Sequence, residues 1–458
     1  MGRPVRLPSR RPGGAAVVNW LGIVVGAGVV VAGAGVALAA PLSYEDARDA
    51  LHTVSDLQKS GESGVSKSEH EARAADSLGW PELSANATEV FGLKTDSLDT
   101  PLGAIRIHDD FTGPRSSIDS TWSIYTGGQI KATQRALAAV IDQSRAELAG
   151  TEQHLDLELT QVYFGVALAA NVERTRTEQL QQADRLLDRA VRFEQRGIIA
   201  KVERLNAQVS RDEAARELVR AQSNRKIAEA RLQRLLHRDD PIDPNTPLFV
   251  ITDALQPLPD WLAAADRQHP IFAAFDAQRE QAEQGVVIAQ ALWKPKLFAY
   301  GSYSLINEYH TLTEPDWTAG IGVNFTLFSR VDRASKVSAA RAQLQQVQSL
   351  EEQSRIDVHT AVETSYRKVE QAREQFTLLE SSLTAAHENL RLRERGFDEG
   401  QATSLDVNDA RDAVTRTETA RALAAYEFVV ALAELLEASG QADALPEHIQ
   451  RADIRLQP

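Results

Sequence analysis

Asp406 and Asp409 stand three residues apart, a spacing that puts both carboxylates on one face of a helix. Asp412 follows at the same step. Thr403-x-x-Asp406 is also an N-terminal capping pattern, with Asp in place of the usual Glu, and acids favour a helix's first turn. Asp409 is past the reach of such a cap. Elsewhere the residues that could do chemistry are dispersed. The ten histidines are scattered, and no G-x-S-x-G, P-loop or H-E-x-x-H is present. Asp239-Asp240 precedes Pro241, where a turn explains the pair. The chain has no cysteine, which excludes disulfides, thiolate metal sites, a cysteine nucleophile and a lipidated cysteine anchor. The sequence therefore predicts no catalytic residue, no metal and no cofactor. An enzyme on a helical scaffold is the reading with least support.

The elements that carry these aspartates are long helices. From Gln129 to Arg196 there is no proline, and the only glycines are Gly150 and Gly165; from Val331 to Arg395 there is neither Gly nor Pro. Each is on the order of 100 Å long if continuous. Val369, Ala372, Phe376, Leu379, Leu383, Ala386 and Leu390 step alternately by three and four, a left-handed coiled-coil seam. Gly197 and Gly400 supply the left-handed dihedrals that two helix hairpins need.

The chain is internally duplicated. Trp122-Ser-Ile-Tyr-Thr126 and Phe325-Thr-Leu-Phe-Ser329 lie 203 residues apart, as do Gly197 and Gly400, and Asn206-Ala207 and Asp409-Ala410. Pro81-Glu82-Leu83 and Pro295-Lys296-Leu297 are offset by 214, so one loop is longer in the first copy. Each copy reads helix, strand, strand, long helix, turn, helix. Over Trp317 to Leu327 a strand alternates strictly. Trp317, Ala319, Ile321, Val323, Phe325 and Leu327 share the face expected to meet lipid. Ser116 to Tyr125, Leu297 to Leu305 and Leu83 to Leu93 supply three more strands, and Tyr300, Tyr303, Tyr309 and Trp317 cluster as a membrane-interface girdle does. Four strands cannot close a membrane barrel, and an open sheet would leave unpaired edges in lipid, so the barrel must be shared between chains.

Compartment follows from the two ends. Arg3, Arg6, Arg10 and Arg11 precede an apolar stretch to Val36 and the small residues Ala37-Leu38-Ala39, a secretory leader cut before Ala40. Its loss leaves 46 basic against 64 acidic residues, a net −18 that argues against a nucleic-acid partner. No later apolar run approaches the ~18 residues of a membrane helix. The expected layout is a leader over 1–39, a helical segment over 40–80 and a first strand pair over 81–126. A long helix and tip hairpin fill 127–240, a connecting segment 241–260 and a helix 261–294. The second strand pair takes 295–328, the second long helix and tip hairpin 329–439, and a tail 440–458.

In this order and doubling the chain resembles the TolC-type outer-membrane efflux proteins. The local motifs that carry the likeness are Leu42-Ser-Tyr-Glu-Asp-Ala47, His269-Pro270 leading to Trp293-Lys-Pro295, Thr126-Gly-Gly-Gln-Ile130 and Gly400-Gln-Ala-Thr-Ser-Leu-Asp-Val407. The resemblance implies a mainly α fold with a small β part. Three chains would form a twelve-stranded transmembrane barrel continuous with a periplasmic helical cylinder. It further implies a passive duct docked on a periplasmic adaptor (membrane-fusion) protein and an inner-membrane pump or ABC exporter. By the same likeness the family's aperture carboxylates fall on Asp406 and Asp409, and the tip that contacts the adaptor on Gly197, Glu203, Gly400 and Thr403. Two departures matter. Val54 to Leu78 lacks an Asn-Pro or His-Pro start and holds Gly61 and Gly64, which predicts a broken or poorly ordered helix. In the first hairpin Ala200 and Glu203 replace the family's hydroxyl and Asp, which predicts a weaker cap. The alternative is a periplasmic coiled-coil structural or adaptor protein without a barrel, but that would show one hairpin rather than two.

Overall fold

Seven-residue steps of small side chains set the architecture. Ala132, Ala139 and Ala146 on one helix, and Ala207, Ala214 and Ala221 on another, are all buried and recur every heptad. Small residues on a seven-residue repeat let helices approach closely and coil left-handed about one another. The protein is described by a computed structural model over residues 40–91, 93–101, 103–110, 113–307 and 315–456; the expected leader, and Tyr309 of the expected girdle, lie outside these.

In chain order the elements are β1 (Ala40–Leu42), α1 (Tyr44–Val54), α2 (Asp56–Asp76), β2 (Glu82–Val90), β3 (Leu93–Thr100), β4 (Gly103–Asp110) and β5 (Gly113–Tyr125). Next come α3 (Gln129–Gln195), α4 (Lys201–Leu235), β6 (Ile242–Pro244), β7 (Leu248–Val250), α5 (Leu258–Gln268) and α6 (Pro270–Ala291). The chain ends with β8 (Lys296–Asn307), β9 (Trp317–Asn324), α7 (Arg333–Asp398), α8 (Ser404–Ala438), α9 (Leu445–Arg451) and β10 (Ile454–Leu456). The chain is mainly helical with a small β part. At 67 and 66 residues, α3 and α7 each run about 100 Å. The seam read on α7 packs as expected, with Val369, Ala372, Phe376 and Leu390 buried.

Midway along the helices the small strands and α1 close an aromatic core with a charged rim. β1 pairs with β6 in parallel and β10 with β7 antiparallel. Tyr44, Tyr163, Phe164, Phe249 and Phe428 are wholly buried and stack edge or face on one another at centroid separations of 5.3–6.3 Å. Burial of each such ring contributes roughly 1.5–3 kcal/mol. Tyr163 donates its hydroxyl to the Leu42 carbonyl at 2.6 Å. On the rim, buried Asp156 accepts from Arg48 at 2.9 and 2.8 Å and from His52 at 2.8 Å, and these partners hold its carboxyl below the usual range despite burial. The same contact raises the His52 imidazole.

Four strands form one antiparallel sheet in the order β2-β5-β8-β9, with the outer edges of β2 and β9 unpaired among the described residues. Three readings are adjusted. The segment 81–126 holds four strands, because a separate hairpin of β3 and β4 stands between β2 and β5; this accounts for the longer first-copy loop. β9 ends at Asn324, so Phe325 and Leu327 follow the strand rather than belong to it. The third concerns α2, which is continuous. Ser55 caps it, and Gly61 lies against α3, where an added Cβ would come within 2.7 Å of Leu148 Cδ1. That glycine is a packing surface between two helices, not a break.

Candidate functional site

The apolar face of the sheet is assembled by register. Trp317, Ala319, Ile321 and Val323 of β9 stand opposite Tyr303, Gly301, Ala299 and Leu297 of β8. Trp122 and Ile118 of β5 stand opposite Ala299 and Tyr303, and Ala85 and Ala87 of β2 continue the face. Among the described residues nothing lies over these side chains. Trp317, Ile321 and Val323 are 66%, 72% and 69% exposed, and Phe325 and Leu327 beyond the strand are exposed as well. A contiguous apolar sheet face of this size needs an apolar cover. At its helix end Trp122 donates Nε1–H to the Gly79 carbonyl at 2.9 Å, and at the far end Tyr303 and Trp317 are cross-strand partners. Aromatic bands at both edges of an apolar band are what a bilayer interface selects.

At the opposite extreme of the helices the two hairpin tips pack together. Gly197 and Gly400 close the turns at φ of 71° and 73°. Phe193 and Phe397 stack at 5.9 Å, and Leu186, Ala190, Ala207, Val407, Ala410 and Val414 complete a small core. The caps differ. Thr403 and Asp406 form a reciprocal capping box: Thr403 N and Oγ1 donate to Asp406 Oδ2 at 2.9 and 2.7 Å, and Asp406 N donates to Thr403 Oγ1 at 3.2 Å. Ala200 gives α4 no side-chain cap. Glu203 reaches across instead and accepts from Ser404 N at 2.9 Å and Ser404 Oγ at 2.5 Å, so it caps the second hairpin. The sequence reading missed this link, and no local signal could have found it.

The structure gives Asp406 and Asp409 different surroundings. Asp406 Oδ1 lies 3.2 Å from Arg393 Nη1 on α7. The Thr403 backbone N–H and hydroxyl, then Arg393, hold its carboxyl below the ordinary aspartate range. Asp409 is exposed and lines an open groove of about 650 Å³ between α3, α4 and α8, together with Arg176, Gln179, Glu213, Glu217, Asp412 and Arg416. Asp412 accepts from Gln179 at 3.0 Å; partial withdrawal from water, then Glu213 and Asp409, push its carboxyl up. Within one chain the two aspartates do not share a partner. Between these groups sits Arg411, 3% exposed, donating to Gln182 at 3.2 Å and Glu394 at 3.0 Å. Its Nη1 and the nearby Asn408 Oδ1 are buried without a protein partner, which costs roughly 1–3 kcal/mol per group. The tip is thus less well satisfied than the aromatic core. Among the described residues no group of His, Cys, Asp or Glu is arranged to hold a metal, and no helix is long and apolar enough to cross a membrane.

Comparison with known proteins agrees with this layout. The family model described as outer membrane efflux protein matches residues 49–237 and 261–441. Protein CyaE of Bordetella pertussis is 25% identical over 268 residues, 56% of this chain and 56% of that protein, so the match spans little over half of the relative. The CmeC outer membrane channel of Campylobacter jejuni superposes with a TM-score of 0.72 at 14% identity over 90% of each chain. The outer membrane protein VceC of Vibrio cholerae superposes with a TM-score of 0.72 at 15% identity over 87% of this chain and 96% of that one. At such identities the structural likeness is one of fold.

Proposed function

The chain belongs to the outer membrane efflux protein family, and from that premise we propose that three copies build a passive exit duct from the periplasm through the outer membrane. In this reading the four-stranded sheets of three protomers close a twelve-stranded barrel, and the helices continue it as a periplasmic cylinder. The duct would serve a tripartite efflux or type I secretion assembly, carrying small molecules or polypeptides. Its distal tip, with Gly197, Glu203, Gly400 and Thr403, would meet a periplasmic adaptor coupled to an inner-membrane pump or ABC exporter.

The observation that carries the reading is the open sheet itself. Among the described residues it has an apolar face without cover, a polar face behind it and two unpaired edges. In lipid such edges are prohibitively costly, so the sheet must be completed by further strands. A periplasmic coiled-coil protein without a barrel has no use for that face. The deciding experiment is the oligomeric state in detergent: a heat-modifiable trimer on unboiled gels, lost when either strand pair is truncated. A stable monomer that inserts and conducts would overturn it. Arginine on this apolar face should cost roughly 2–4 kcal/mol at the midplane and less at Ile321 or Val323, which stand opposite Ala299 and Leu297 toward the helix end, and Asn324→Arg on the other face less still.

At the entrance we assign Asp406 and Asp409 to stacked carboxylate rings facing the narrow mouth of the trimer. Carboxylates at a narrow pore favour cations and bind multivalent ones. The capping box fixes where the Asp406 carboxylate sits and keeps it ionised. Replacing both residues by Ala should abolish block by cobalt complexes in single-channel recordings while the trimer persists. Unaltered block in the double variant would leave Asp406 as a cap alone.

A further inference from the structure

Register places most of the charged and hydroxyl side chains of β2 and β5 on the face opposite the apolar one, Glu89, Ser116 and Ser120 being the exceptions. Glu82, Ser84, Asn86 and Thr88 of β2 stand opposite Thr121, Asp119, Ser117 and Arg115 of β5. Ser117, Asp119 and Thr121 stand in turn opposite Ser304, Ser302 and Tyr300 of β8. Asp119 is on an inner strand at the centre of this face. Its Oδ2 accepts from Asn86 Nδ2 and from Ser117 Oγ at 2.7 Å each, and its Oδ1 from Ser302 Oγ at 2.6 Å. All three donors are neutral, so they fix the carboxylate without cancelling its charge. Glu82 lies one row nearer the helices, diagonal to Asp119 and about 7–8 Å away.

The basic side chains of this face, Arg115 and Lys296, are farther off. Arg115 is four residues along β5, about 13 Å at the strand rise. Lys296 is six residues before Ser302 on β8, about 20 Å away by the same rise, and its Nζ donates to Gln129 Oε1 at 3.2 Å. The Phe298 and Tyr300 rings leave the carboxylates uncovered. They lie across Gly322 and Gly320, where an added Cβ would come within 2.5 and 2.9 Å of them. Unneutralised carboxylates in a sheet of membrane length are tolerable only where their face looks onto water.

We propose that Asp119, with Glu82, determines the charge selectivity of the barrel lumen, a second acidic belt far from the tip that favours cationic over anionic solutes. This rests on the trimeric-barrel reading above. Three chains would set the Asp119–Glu82 pair at adjacent levels around one lumen. At ~0.1 M salt the screening length is about 10 Å, so the two acids act together while Arg115 and Lys296 lie beyond it. At ~1 M salt that length falls to about 3 Å and the preference should vanish.

The chain's lack of cysteine makes a direct test available. Ser84 stands opposite Asp119 and is not among its hydrogen-bond donors. In the full-length trimer in a bilayer, Ser84→Cys is exposed to a trimethylammonium-ethyl or a sulfonato-ethyl methanethiosulfonate, each rate normalised to a free thiol. The cationic reagent should react several-fold faster at ~0.1 M salt and lose that advantage at ~1 M. Asp119→Asn should lower the ratio and Asp119→Glu restore it. Should Asp119→Asn fail to assemble, Glu82→Gln on the edge strand should lower the ratio by a smaller factor. Equal normalised rates beside native Asp119 overturn the proposal and leave the lumen standing. A thiol in the assembled trimer that neither reagent reaches overturns the barrel reading, and this proposal with it.

Discussion

The two hairpin tips descend from one repeated unit, yet they divide the work of holding the tip together unequally. Both turn on a glycine in the left-handed region and both contribute a phenylalanine to the same stack. Only the second keeps a capping box of its own, and the first gives its one acid of that turn, Glu203, to the second. The duplicate with Asp406 is therefore held from its own chain end, from α7 through Arg393 and from the other hairpin. Duplication supplied two equal turns, and divergence made one the brace of the other.

The largest test of this asymmetry is in the shared core. Phe397 is 2% exposed, whereas Phe193 only packs against the cluster from its margin. Phe397→Ala should cost about 3 kcal/mol of local stability, read by amide exchange in both hairpins, and Phe193→Ala less. Equal losses would erase the distinction. Next comes the brace: Glu203→Ala should cost roughly 1–2 kcal/mol and lose amide protection at residues 404–410 rather than 201–207. Loss confined to α4 would mean that Glu203 serves its own helix. Smaller still, Ala200→Ser should tighten the start of α4 by about 1 kcal/mol, and Thr403→Ala should loosen α8 by about as much. The slightest effect is a pH response. Asp406 is held below its unfolded range chiefly by the Thr403 N–H. Its contribution is therefore complete above the unfolded aspartate pKa of about 3.9 and lost as pH falls through the depressed folded value. Exchange at the start of α8 should rise in that acid window, with no matching change at Lys201.

Much of the fold was legible because its signals are periodic. The heptad seam on α7, the long Gly- and Pro-poor runs and the alternation of Trp317 to Val323 are each repeated many times, so no single residue decides them. What escaped was decided by one contact with a distant partner. Gly61 reads as a helix breaker until Leu148 is placed against it. Glu203 reads as a surface acid until Ser404, 201 residues away, is brought to it. Leu93 to Asp110 is rich in acids and punctuated by Pro101, so its two strands carry no clean alternation. At the candidate entrance, Asp406 was found with both its possible roles, whereas burial of Arg411 follows only from three helices converging.

The near-equal helices have a consequence for how the chain can change length. α3 and α7 differ by one residue, and α4 and α8 have 35 each. Two legs of unlike length could not bring Phe193 level with Phe397 or Glu203 level with Ser404. A lone insertion in either leg would shear the tip by about 1.5 Å per residue and rotate its faces by about 100°. Insertions and deletions must therefore come in matched pairs, and in whole heptads if the seam is to stay in register. The molecule behaves as a ruler cut twice to one measure: its reach can be rescaled only by editing both halves of the sequence together.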